Sequence, residues 1–61
     1  MLNGLSFEAF KEMYEKIKRN YPDTLAWIKH KAKWEHMTLV GVVNNYHQHI
    51  ERLMKQEDSE R

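Results

Sequence analysis

Sixty-one residues with ten basic and nine acidic side chains carry a formal net charge of +1. A chain this short holds one domain, which excludes a two-domain architecture and a conventional enzyme with a substrate cleft between layers. Leu, Ile, Val and Phe supply only 13 residues, so the core is thin, and the absence of cysteine removes disulfides and thiolate metal sites as reinforcement.

The first residues, Met1-Leu2-Asn3-Gly4-Leu5, have no basic n-region, and Asn3, Gly4 and Glu8 interrupt the apolar start, so they do not read as a signal peptide. No run approaches the roughly 18 apolar residues of a membrane span. A cytoplasmic location with no membrane partner is the expectation.

Residues 7–19 read as an amphipathic helix. Ser6 is an N-cap residue type, and Leu5 and Phe10 stand at the spacing of a hydrophobic staple. Phe7, Phe10, Met13, Tyr14 and Ile17 recur every three or four residues and lay down one apolar stripe. Glu12 with Lys16 and Glu15 with Arg19 are i,i+4 pairs in the favourable order. The helix stops at Asn20-Tyr21-Pro22-Asp23, where proline drives Tyr21 out of the helical region and Asp23 is a cap type for the next helix.

From Thr24 onward, on a wheel of about 100° per residue, Leu25, Ile28, Ala32, Leu39, Val43, Tyr46, Ile50 and Leu53 fall within an arc of about 80°. Two readings fit: one long helix over 24–56, or two helices over 24–36 and 39–56 with a break at Met37-Thr38. Thr38 as an N-cap and Gly41 as a poor helix-interior residue favour the break; the unbroken phase favours continuity. A strand over 38–43 is a third reading, since Thr, Leu and Val suit strands. Glu35 and His36 interrupt the stripe, which requires solvent or a basic partner for Glu35.

Trp27 and Trp34 lie seven residues apart on a different side of the same helix, so this segment has two apolar faces. One face is expected to receive the first helix and the other the third helix or a second subunit. The expected architecture is all-α, with two or three helices (7–19, 24–36 and 39–56, the last two readable as one), packed as a helical dimer. Residues 1–56 form the domain and 57–61 a frayed charged tail.

For function, the four histidines do not assemble a metal site within one chain. His36 and His47 are about 16 Å apart along a continuous helix, and His47 and His49 point to opposite sides. With only Gly4 and Gly41 there is no phosphate loop, Ser6 reads as a cap, and the carboxylates of the first helix read as solvated, so neither an enzyme nor a cofactor is expected. The expected function is binding: a small interaction or regulatory protein such as an inhibitor, adaptor or assembly factor, self-associating through Trp27, Trp34, Leu39, Val43, Tyr46, Ile50 and Leu53. The alternative is a nucleic-acid-binding module. Residues 16–36 hold six Lys or Arg against two acids, and Lys29-His30-Lys31-Ala32-Lys33-Trp34 interleaves cations with an aromatic. Its contact residues would be Lys18, Arg19, Lys29, Lys31 and Lys33.

Overall fold

In a computed structural model, which describes residues 6–60, the chain forms four helices: α1 (Phe7–Asn20), α2 (Pro22–Trp34), α3 (Leu39–Asn45) and α4 (His47–Ser59). The all-α expectation stands, and the count of two or three helices is corrected to four. No strand occurs among the described residues; the segment weighed as a strand is α3.

Ser6 caps α1: its backbone is extended, and its Oγ accepts the Ala9 amide at 3.1 Å. The Leu5 half of the expected staple lies outside the described residues. Neither Glu12–Lys16 nor Glu15–Arg19 closes to an ion pair; among the described residues Lys31 pairs with Glu35, and His47 Nε2 approaches a Glu51 carboxylate oxygen. Exposed side chains of this length give up too much rotamer freedom for such contacts to be held tightly.

Pro22 dictates the first corner. Tyr21 takes φ −132°, ψ 69°, outside the helical region, and Pro22 opens α2 where its missing N–H is no loss. The orphan amides that open α2 are then satisfied from elsewhere. Tyr21 donates its amide to Ile17 O at 2.8 Å and accepts from Leu25 N at 2.9 Å. Asp23 N and Thr24 N donate to the two carboxylate oxygens of Glu57 at 3.2 Å and 3.1 Å. Asp23 was the expected cap; the carboxylate that fills that role comes instead from α4, 34 residues along the chain.

α2 ends in a Schellman motif. His36 adopts φ 54°, its amide points to Lys33 O at 3.4 Å, and Met37 N donates to Ala32 O at 2.9 Å. Thr38 then caps α3 by accepting the Gly41 amide at 3.0 Å. A Cβ on Gly41 would meet the Met37 methyl at 3.2 Å and the Thr38 hydroxyl at 3.3 Å, a tight fit that a small shift of either side chain would have to relieve. The break at residues 37–38 is therefore real, and a second one at Tyr46 (φ −118°, ψ 27°) divides the expected 39–56 helix into α3 and α4.

α2 is the central element and packs against each of the other three helices, while α3 also packs on α4. Ile17, Tyr21, Ile28, Val42, Val43 and Ile50 form the buried core, with Phe10, Met13, Leu25, Ala32, Met37, Leu39 and Met54 packed around it.

The first residues of the expected tail, 57–59, belong to α4. α4 continues to Ser59, Glu57 is buried, and Asp58 accepts a hydrogen bond from the Tyr21 hydroxyl at 2.9 Å. A carboxylate facing amides that need an acceptor gives the segment a reason to stay helical.

Candidate macromolecular interface

The chain itself covers the Ile28 side of α2 and Trp27, but not Trp34. Ile28 is fully buried in the core, while Trp27 turns to the α3–α4 joint, where its ring meets Tyr46 edge-on at 5.7 Å and lies 4.8 Å from His49. Trp27 thus faces the joint rather than α1, while Trp34, seven residues on, stands in solvent.

A polar cluster sits beside it. Lys31 Nζ lies 2.8 Å from Glu35 Oε2, and the Tyr46 hydroxyl donates to the same carboxylate at 2.7 Å and 2.9 Å. Lys31 Nζ also lies 4.9 Å from the Tyr46 ring centroid and 5.9 Å from that of Trp27, within cation–π range. Of the two expectations for Glu35, solvent or a basic partner, both hold: it is exposed and paired with Lys31. The hydrogen bond from Lys31, then that from Tyr46, holds the Glu35 carboxyl below the ordinary range. The same contacts with Glu35 raise Lys31 and Tyr46 above theirs.

The sequence-predicted association residues separate into three groups. Val43 and Ile50 are 0% exposed, inside the core of their own chain, and so contribute no free surface. Trp27, Leu39, Tyr46 and Leu53 are half-buried; Leu53 lines a shallow groove with Trp27, Thr24 and Glu57. Trp34 alone of the set stands in solvent, at 72% exposure. The turns at His36 and Tyr46 fold α3 and α4 back onto α2, which covers Val43 and Ile50 within the chain and leaves Leu39, Tyr46 and Leu53 partly open.

The predicted cationic residues separate too. Lys18, Arg19, Lys29 and Lys33 are exposed and engage no carboxylate among the described residues, whereas Lys31 is committed to Glu35. Other exposed features were not anticipated as surface. Phe7 is 70% exposed and begins an aromatic ladder with Phe10 at 6.3 Å and Tyr14 at 5.6 Å from Phe10. Phe7 has the right phase for the core but sits at the first turn of α1, beyond the core's reach. His30 lies 5.7 Å from Trp34, a contact legible as i,i+4 spacing.

Among the described residues, no three or more His, Asp or Glu side chains converge as a metal site, and no helix is long and apolar enough to cross a membrane. His47 and Glu51 approach at 3.7 Å on the edge of a groove between α1 and α4, floored by Ala9, Met13 and Met54. No family model, curated protein or solved structure matches this chain.

Proposed function

We propose that this is a small helical interaction protein whose function is contact with another macromolecule, including a second copy of itself, and that it is not an enzyme. One observation carries the reading. In a chain with few apolar side chains, Phe7 and Trp34 are left 70% and 72% exposed instead of being spent on the core. Exposed aromatics are where interface energy concentrates, because they bury large area at little rotamer cost. Self-association, expected through the stripe, is reassigned to the Phe7–Phe10–Tyr14 ladder, since Val43 and Ile50 already serve the monomer's core. A ladder on one helix is self-complementary about a twofold axis.

Light scattering across a dilution series tests this reading. The wild type should exceed the mass of one chain at high concentration and approach it on dilution. Phe7→Ser should remain monomeric throughout with an unchanged melt. A wild type that keeps the mass of one chain at every concentration would overturn self-association.

A further inference from the structure

The outer face of α2 combines exposed cations with an exposed aromatic. At about 100° per residue, Ala26, Lys29, His30, Lys33 and Trp34 share one side of the helix, opposite buried Ile28. Lys29 and Lys33 form one column a helical turn apart, and His30 and Trp34 form the next, with ring centroids 5.7 Å apart. The acid that could neutralise this segment, Glu35, lies on the other side, held by Lys31 and the Tyr46 hydroxyl. The remaining acid of α2, Asp23, is six residues from Lys29, about 9 Å along the axis. Folding therefore sorts the basic segment: one lysine pairs with the glutamate, and two engage no carboxylate among the described residues and stand beside an exposed tryptophan.

We propose that this face binds single-stranded nucleic acid, with Lys29 and Lys33 contacting successive phosphates and Trp34, flanked by His30, stacking on a base. One feature favours a single strand over a duplex: an indole offers a stacking platform only to an unstacked base. Binding is consequently tolerant of sequence and sensitive to salt. The complementarity is specific to a ligand that joins negative charge to flat apolar rings; an acidic peptide supplies only the first. The surface is distinct from the α1 ladder, so it stands or falls separately from self-association.

The test is anisotropy of labelled oligo(dT) and oligo(rU), together with tryptophan fluorescence, on the intact chain at about 20 mM salt and upward, where electrostatic binding is strongest. Binding should quench tryptophan emission. The slope of log K against log salt should be near −1.4, about 0.7 for each of two phosphates. Trp34→Ala should weaken binding by about tenfold to a hundredfold and abolish the quench. Lys29→Gln with Lys33→Gln should flatten the salt dependence, while Phe7→Ser should bind as the wild type does. All of these positions are exposed, and unchanged melts confirm that folding is not being measured. Three results would overturn the proposal: no binding at low salt, equal affinity in Trp34→Ala, or polyglutamate competing as well as the oligonucleotides, which would mark a generic anion surface or an acidic protein partner.

Discussion

The Glu57 carboxylate accepts both the backbone amide and the hydroxyl of Thr24, at 3.1 Å and 2.9 Å, in a buried contact between residues 33 positions apart. One acidic side chain near the end of α4 thereby closes the beginning of α2. It supplies an acceptor to two orphan amides, satisfies a buried hydroxyl and places negative charge at the positive end of a helix.

Glu57→Ala should leave these donors buried without partners. The expected loss is about 1–3 kcal/mol, read as a lower midpoint in urea with an unchanged slope. Glu57→Gln retains one acceptor oxygen and should lose less. If both variants melt with the wild type, the cap contributes nothing to stability.

His36 sits at φ 54°, where a side chain is strained and glycine is not. His36→Gly should stabilise the protein by about 0.5–1 kcal/mol, the relief of strain exceeding the added freedom of the unfolded chain. In a domain of this size that is a rise of several degrees in Tm. His36→Val should do the opposite, because a β-branched residue is least tolerant of this region.

The Lys31–Glu35–Tyr46 cluster predicts pH dependence at both extremes. Glu35 has a depressed folded pKa, so its contribution is present above the ordinary carboxyl value of 4.5 and is lost as pH falls through the folded value. Lys31 and Tyr46 have raised folded values. Their contributions are present below the ordinary 10.5 and 10.0 and are lost as pH rises through the folded ones. Melting curves of Glu35→Gln, subtracted from those of the wild type, should therefore show a difference near neutrality that shrinks in both acid and alkali. These groups are solvent-accessible, so added salt should reduce that difference.

The two tryptophans should behave oppositely. Trp27→Ala removes a half-buried ring from Tyr46, His49 and Lys31 and should destabilise by about 2 kcal/mol. Trp34→Ala, at an exposed site, should stay within about 0.5 kcal/mol of the wild type. Equal shifts in thermal denaturation would contradict this packing.

Ile50→Asp separates a core position from an interface position. A charge at a fully buried site should abolish helical circular dichroism at every concentration. A folded monomer would instead place Ile50 in an interface.

Several elements were legible in sequence because their signals are local. The Ser6 and Thr38 caps and the Pro22 corner are each set by a few neighbouring residues, and the apolar stripe by the local helical repeat. The second break, at Tyr46, carries no Gly or Pro and leaves the hydrophobic phase intact, so nothing local announces it. The aromatic ladder shows the complementary failure: phase alone assigned Phe7 to the core, whereas the reach of the core decided its exposure.

By itself, then, the sequence determined a helical chain, its first two boundaries and the apolar identity of its long stripe, all consequences of side-chain periodicity and backbone sterics. Tertiary structure alone decided which members of that stripe enter the chain's own core. Turns at His36 and Tyr46 bring α3 and α4 back onto α2, which buries Val43 and Ile50 within the chain and delivers Glu57 to Thr24. The same folding divided the basic segment, pairing Lys31 while leaving Lys29 and Lys33 beside exposed Trp34. The physical reason is common to both. Whether a residue is core or surface, paired or unpaired, depends on which distant groups reach it, and helical periodicity records direction around an axis, not the neighbour that arrives there.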